Sequence, residues 1–209
     1  MIKMDTLHLS HGDLCYPASL KIHLGNRAPV AIEALGNLDI LQRKTLALFC
    51  SVRCPASLIL QTYDLAQNLR QTGIAVIGGF HSPVEQECLM ILLRGAQPIV
   101  VCPARSIEGM RVRLEYKQPL KEGRLLLLSP FAENQRRATV QMALYRNQFV
   151  AALSDRIFVA YAEPQGKTET FCREAIAWGK PLYTLASDAN SGLIELGAKL
   201  VGPNDISKL

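Results

Sequence analysis

The sequence predicts an α/β protein in which a doubly wound parallel sheet forms a single domain. Two observations support this fold class. First, six apolar runs of strand length occur along the chain, and continuous apolar runs are typical of strands covered on both faces. Second, segments of helix length separate these runs, which is the alternation expected of a parallel sheet. A chain of 209 residues can build one full-sized core and does not require two.

The N-terminal part differs from the rest. Residues 1–44 are polar and irregular, with a turn expected at 16–20, and we interpret them as a lead-in segment packed on the core. Residues 45–209 form the main domain, whose first strand is the apolar run 45–50. Pro55 then starts a helix. Helical spacing places five of its residues on one stripe: Leu58, Thr62, Leu65, Ala66 and Leu69.

The next unit is a strand, a glycine loop and a capped helix. The strand is expected over 74–77, and the loop over 78–81. The segment from Ser82 to Glu85 has the pattern of a capping box with proline at the first helical position, so it predicts a helix start. We expect this helix over 83–94, ended by Gly95.

The cycle then repeats to the end of the chain. A helix is predicted around Arg146, and another runs through Trp178 to Gly179. The remaining apolar runs predict four strands, at 98–103, 124–128, 156–162 and 181–187. A short final helix and strand are predicted within 191–201.

Arg146 interrupts an apolar helix face. At about 100° per residue, Met142, Tyr145, Phe149 and their neighbours cluster on one side, with Arg146 in the middle. Asn147 lies at the edge of that side. An unpaired buried charge is costly, so the guanidinium must meet a carboxylate, backbone carbonyls or a bound anion. Geometry alone leaves these alternatives open.

Polar residues also gather where the predicted strands end. In open parallel sheets, ligands bind beyond the carboxyl ends of the strands, and glycine-rich helix starts expose backbone N–H groups to anions. The sequence therefore predicts a phosphate-binding site, which we call the carboxyl-edge rim: Ser51, Arg53, Gly78, Gly79, His81, Arg146, Gly166 and Lys167. Of the aromatic residues, Phe80 and Tyr161 are the ones expected to stack on a base.

The composition is that of an ordinary globular protein, with 49% hydrophobic and 20% charged residues. A formal charge of +5 is compatible with an anionic partner. The six cysteines include no C-x-x-C pair and the histidines show no ligand spacing, so we predict no metal site and no cofactor. No apolar run approaches the ~20 residues of a membrane span, and the N-terminus lacks a signal-peptide pattern, so we expect a cytoplasmic protein.

Five stretches are arranged in order along nearly the whole chain: YPASLKIHLGNRAPVAIEALGNLDIL, VRCPAS, GGFHSPVE, RNQFVAALSD and AIAWGKPLYTLASDANSGLIELGAKLV. Their order and spacing resemble the DNA-processing protein A family (DprA, also called Smf). The fourth stretch is similar to the family's Arg-Asn-Arg segment followed by Ala-Gly-Leu-Ser. Here Gln148 replaces the second arginine, and Glu85 replaces an aspartate of the family's second loop.

This resemblance implies a Rossmann-like domain that binds single-stranded DNA without catalysis. It also implies homodimerisation and RecA as a partner, which the family helps to load during natural transformation or recombination. Matched position by position, the resemblance assigns DNA or phosphate contacts to residues of five segments: Arg53, Gly79, Arg146, Asn147, Gly166, Lys167, Thr170 and Asn190.

A second resemblance leaves an alternative function open. The LOG family of phosphoribohydrolases shares this fold and has a Pro-Gly-Gly-x-Gly-Thr-x-x-Glu loop, to which PQGKTETF is similar in Pro164, Gly166 and Thr168. Phe171 stands where the catalytic glutamate would be, so this resemblance implies a binder or sensor of a nucleotide-derived small molecule rather than a hydrolase.

Overall fold

A computed structural model describes residues 6–209, and a mixed sheet lies at its centre. Nine strands form this sheet within the described residues: β1 (Leu7–Ser10), β2 (Ala31–Gly36), β3 (Thr45–Phe49), β4 (Ala75–Gly78), β5 (Ile99–Val101), β6 (Leu125–Ser129), β7 (Arg156–Val159), β8 (Leu182–Thr184) and β9 (Lys199–Leu200). The strands from β3 to β8 are almost entirely buried, which explains why they are continuous apolar runs in the sequence.

The strand order is β1-β2-β6-β5-β4-β3-β7-β8-β9. From β6 to β9 all neighbours are parallel, whereas β1 and β2 add an antiparallel edge. The chain builds outward from β3 through β4 to β6, and then crosses to β7 on the other side of β3. The crevice at the carboxyl ends of β3 and β7 is therefore the topological switch point, where such sheets bind ligands.

Helices cover both faces of the sheet: α1 (Ala18–Leu24), α2 (Ala56–Leu69), α3 (Pro83–Leu93), α4 (Leu114–Lys121), α5 (Val140–Leu153), α6 (Lys167–Ala177) and α7 (Ser191–Glu195). Side chains of α1, α5, α6 and α7 share one buried cluster, and those of α2, α3 and α4 share the other. Alternate residues of β3 point into opposite clusters, with Phe49 in the first and Leu48 in the second. The predicted single α/β domain with a doubly wound sheet is confirmed.

Local predictions for α2 and α3 also agree with the structure. The five stripe residues of α2 are all buried. At the start of α3, Ser82 Oγ accepts a hydrogen bond from the Glu85 backbone N–H at 3.3 Å, and the Glu85 carboxylate accepts one from the Ser82 N–H at 3.2 Å. No described helix has the length and apolar character needed to cross a membrane.

The lead-in segment is more regular than its sequence indicates. The turn expected at 16–20 is wrong, because Pro17 caps α1 and the helix begins at Ala18. Strand β2 pairs with β6, with Glu33 opposite Ser129. The buried Glu33 carboxylate accepts hydrogen bonds from Ser106 Oγ at 2.8 Å and from the Ile107 N–H at 2.7 Å. The segment therefore fixes the loop that follows β5.

Candidate anion-binding site

Three loops meet at the switch point, and Ser51 joins two of them. Its backbone N–H donates to the Tyr161 carbonyl at 2.9 Å. Its hydroxyl donates to Thr168 Oγ1 at 3.0 Å and accepts from the Glu163 N–H at 3.0 Å. Because these bonds use the hydroxyl as donor and as acceptor, the buried Ser51 side chain is a brace between the loops after β3 and β7.

Arg146 is 4% exposed and lies over the ends of β4 and β5. Its Nη1 donates to the Cys102 carbonyl at 3.0 Å, and its Nε donates to Asn147 Oδ1 at 2.9 Å. Within residues 6–209 no carboxylate forms an ion pair with the guanidinium, and its Nη2 has no hydrogen-bond acceptor. Burial lowers the pKa of Arg146, although the nearby charge of Glu85 opposes the shift.

Gly79 allows this position of the guanidinium. A Cβ atom on Gly79 would lie 1.6 Å from Nη1 and 1.9 Å from Cζ of Arg146. Both distances are far inside van der Waals contact, so any side chain at position 79 would displace the arginine. Gly79 and Arg146 thus form one packed unit, although they lie on different elements.

The Glu85 carboxylate is buried beneath the same loop. Oε1 accepts from the Cys50 N–H at 2.8 Å, and Oε2 accepts from the N–H groups of His81 at 2.7 Å and Ser82 at 3.2 Å. Burial raises the pKa of the Glu85 carboxyl, while these hydrogen bonds and the charge of Arg146 act in the opposite direction. Backbone donors hold the carboxylate, and it forms no ion pair with Arg146.

The side chains of Phe80 and His81 point in different directions. Phe80 has a left-handed φ of 46° and is 5% exposed, with its ring packed against Gly78. The expectation that Phe80 stacks on a base is therefore wrong, because its ring belongs to the core. Tyr161 is half-buried, and the His81 side chain is exposed.

The start of α6 forms the other side of the crevice. Gly166 caps the helix, and a Cβ there would lie 2.7 Å from the Glu163 carbonyl oxygen. Lys167 is exposed, with no ion pair to any described residue. The Thr170 hydroxyl donates back to the Gly166 carbonyl at 3.1 Å, and so it is already engaged within the helix.

Glu169 stabilises the loop in front of α6. It accepts a hydrogen bond from the Gln165 N–H at 2.7 Å and pairs with Arg173 at 2.5 Å. The Gln165 hydrogen bond, followed by the contact with Arg173, lowers the pKa of Glu169. Phe171 packs against Phe49 with ring centroids 4.8 Å apart. An aromatic ring, and not a carboxylate, therefore occupies the position where the LOG family has its catalytic glutamate.

Asn190 lies behind the crevice and is 1% exposed. Its Nδ2 donates to the carbonyls of Ala160 at 3.0 Å and Leu185 at 3.2 Å, which joins the ends of β7 and β8. The buried Oδ1 has no donor within the described part of the chain. This geometry makes Asn190 a brace for the loop after β7.

Sequence reasoning missed a second group of cations. Three arginines in the loops after β5 and β6 are exposed and form no ion pair with another described residue: Arg105, Arg111 and Arg137. The two loops are joined, since the Ser106 N–H donates to the Gln135 carbonyl at 2.9 Å and Ser129 Oγ donates to the Arg105 carbonyl at 2.8 Å. The sequence contained the signal for this group, because these arginines follow β5 and β6, whose carboxyl ends lie at the same edge of the sheet as those of β3 and β4.

The crevice therefore combines a buried guanidinium, exposed cations and a helix N-terminus, all of which favour anions. No group of three or more His, Cys, Asp and Glu side chains among residues 6–209 is arranged to hold a metal ion. The arrangement is suited to binding phosphate groups.

The profile of a family described as DNA recombination-mediator protein A matches residues 8–208. A sequence search of the curated proteins finds no significant match. DNA processing protein A from Streptococcus pneumoniae has a similar structure, with a TM-score of 0.79 and 21% identity over 99% of this chain and 74% of that chain.

Two further structures are similar. DNA processing protein A from Helicobacter pylori, described for its single-stranded DNA binding mode, has a TM-score of 0.75 and 20% identity over 94% of this chain and 90% of that chain. The molybdenum cofactor binding protein from Rippkaea orientalis has a TM-score of 0.56 and 11% identity over 79% of this chain and 94% of that chain. At these identities the likeness is one of fold.

Proposed function

Because this chain belongs to the DNA recombination-mediator protein A family, we propose that it binds single-stranded DNA at the carboxyl-edge rim and acts in DNA recombination. The observation that carries the proposal is the buried guanidinium of Arg146, which has no carboxylate partner within residues 6–209. A buried cation that forms no direct ion pair gains free energy when an anion contacts it, because the cost of desolvating the arginine has already been met in folding.

The exposed cations extend this surface along the sheet edge. Arg53 and Lys167 lie beside the switch point, and Arg105, Arg111 and Arg137 follow the next strands. Several cations along one edge fit a polyanion better than a single phosphate. We therefore expect binding that weakens steeply with salt, because each neutralised phosphate releases counter-ions.

Arg146→Met provides the test. Methionine keeps much of the stem, and no buried carboxylate loses an ion pair, so we expect the free energy of unfolding to change by less than about 1.5 kcal/mol. Affinity for single-stranded DNA should fall about tenfold, and the salt slope should decrease by about one phosphate contact. Fluorescence anisotropy at several salt concentrations measures both.

Arg43→Met is the matched control, because Arg43 is exposed just before β3 at the opposite edge of the sheet. A loss of ~3–5 kcal/mol in stability without a specific binding defect would instead assign Arg146 to a structural pair. A protein stabilised by free nucleotides but indifferent to DNA would favour the small-molecule alternative.

Family membership also supports two finer proposals, namely that the protein forms a homodimer and that it delivers DNA to RecA. Light scattering after size-exclusion chromatography tests the first. The second predicts faster RecA filament formation on protein-coated single-stranded DNA when this protein is added, and an unchanged rate would contradict it.

A further inference from the structure

A cavity of about 430 Å³ lies beside the rim, between the start of β2 and the loop after β6. We call it the lead-in cavity. Its walls are mainly apolar and include Val30, Ile32, Pro130, Phe131, Ala132 and Tyr145. Binding pockets for small ligands have volumes of roughly 300–1,000 Å³ and mostly apolar walls, so the size suits part of a nucleotide.

The cavity lies close to the buried cation. Tyr145 and Arg146 are consecutive residues of α5, and Arg146 reaches the end of β5 through Cys102. Strand β6 is next to β5, and β2 is next to β6, with neighbouring strands about 4.8 Å apart. The cavity is thus one or two strand spacings from the guanidinium, a distance that a nucleotide spans from its phosphate to its base.

The Tyr145 ring is held in place but not enclosed. Its hydroxyl donates to the Arg27 carbonyl at 2.7 Å, and the Phe131 ring meets it edge to face at 5.9 Å between centroids. Tyr145 itself is half-buried. A fixed ring with one accessible side can stack on any base at a low cost in entropy.

The charges around the cavity favour a neutral occupant. Two carboxylates line it, and both are engaged: Glu33 with Ser106 and Ile107, and Glu133 with Arg136 at 3.0 Å. These negative charges would repel a phosphate inside the cavity, whereas the arginines outside it attract one. A base in the cavity with its phosphates on the rim satisfies both conditions.

We propose that the lead-in cavity is a base subsite that receives one nucleobase of the bound single strand by stacking on Tyr145. This inference rests on the proposed DNA-binding function. It gives the lead-in segment a direct part in ligand binding, since Val30 and Ile32 form one wall.

Filling the cavity tests the inference. Ala132 is an exposed loop residue in the cavity wall, so Ala132→Trp should fold normally and occupy the space of the base. Tyr145→Leu removes the ring by an independent route. Ala177→Trp is the control, because Ala177 is exposed at the far end of α6. The probes are a labelled oligothymidylate and an abasic strand of the same length.

We expect both cavity variants to bind oligothymidylate about tenfold more weakly, which corresponds to the loss of one stacked base. Their affinity for the abasic strand and their salt slope should be unchanged, because no phosphate contact is removed. Equal losses on both strands, or no loss on oligothymidylate, would overturn the inference. Equal binding of both strands by the unaltered protein would overturn the base subsite and leave the DNA-binding function intact, whereas binding of neither would overturn both.

Discussion

Two regions of the rim present positive charge to the crevice in different ways. In the Arg146 cluster, which we define as Arg146, Gly79 and Glu85, the cation is buried and fixed by hydrogen bonds. At the start of α6, Lys167 is exposed, and Glu169 pairs with the exposed Arg173. Both regions contain a buried carboxylate, but only the Arg146 cluster also removes its cation from water.

The difference shows how burial changes the value of a charge. A solvated lysine is already stabilised by water and gains little from a phosphate, whereas a buried guanidinium held in place gains more. We therefore expect the Arg146 cluster to dominate affinity and stability, and the start of α6 to contribute a smaller, salt-sensitive part. The following substitutions test this ranking.

Glu85→Ala should have the largest effect. It removes the acceptor for the N–H groups of Cys50, His81 and Ser82. Because unsatisfied buried donors cost ~1–3 kcal/mol each, we expect a loss of about 3–5 kcal/mol in chemical denaturation, together with loss of DNA binding. Glu87→Ala, at an exposed position on the same helix, is the control and should change neither. A stable, binding-competent Glu85→Ala protein would show that the loops do not need this carboxylate.

Gly79→Ala should affect binding more than stability. The added methyl group would overlap the guanidinium, and overpacking of this kind costs about 1–3 kcal/mol. Displacement of Arg146 should also weaken DNA binding by about tenfold or more, as measured by anisotropy. At Gly73 a Cβ would meet nothing within 4 Å, so Gly73→Ala is the control. Unchanged affinity in Gly79→Ala would argue against a ligand role for Arg146.

Lys167→Met should have a smaller effect, confined to binding. We expect a two- to fivefold weaker affinity, corresponding to about 0.5–1 kcal/mol for an exposed charge, and a salt slope reduced by about one. The melting temperature should not change. Lys121→Met, at the exposed end of α4, is the control. A loss equal to that of Arg146→Met would remove the distinction between the two regions.

Glu169→Gln should have the smallest effect, visible only as a pH dependence. The folded protein lowers the pKa of Glu169, so its ionised form stabilises the fold above the unfolded pKa, and this contribution is lost as pH falls through the folded value. The difference in the free energy of unfolding between the unaltered protein and Glu169→Gln, measured by thermal unfolding, should therefore shrink on acidification, from about 1 kcal/mol or less near neutral pH. Glu195→Gln, on α7, is the control. A difference in stability that stays constant from neutral to acidic pH would exclude a stabilising role for the ionised Glu169 carboxylate.

The parallel core could be predicted from sequence because its signals are local. Strands such as β3 are continuous apolar runs, the stripe of α2 follows helical spacing, and the capping box before α3 involves neighbouring residues. Each of these patterns is set by the residues of one element, so no knowledge of the partners is needed.

The features that escaped prediction depend on distant partners. Strand β2 contains a charged residue, Glu33. Its carboxylate can be buried because Ser106, which is distant in sequence, donates a hydrogen bond to it. Phe80 follows two glycines in a loop, but its ring turns into the core. For Arg146, the periodicity predicted burial, while its contacts with Cys102 and Gly79 arise from elements far away in sequence. The environment of each of these side chains is set by tertiary contacts with residues distant in sequence, and local sequence patterns do not specify such contacts.

The pairing of β2 with β6 has a consequence for how the molecule is made. Strand β2 is synthesised early, but its partner is in the second half of the chain, with Glu33 paired to Ser129. Contacts between segments that are far apart in sequence raise the contact order. Closing the long loop between the two strands costs entropy before their contacts add stability, so the pairing of β2 with β6 is delayed. The parallel strands β3, β4 and β5 follow one another along the chain and can assemble first. The growing polypeptide can thus form the loops after β3 and β4, which carry Ser51 and Gly79, before β2 pairs with β6 and completes the wall of the lead-in cavity.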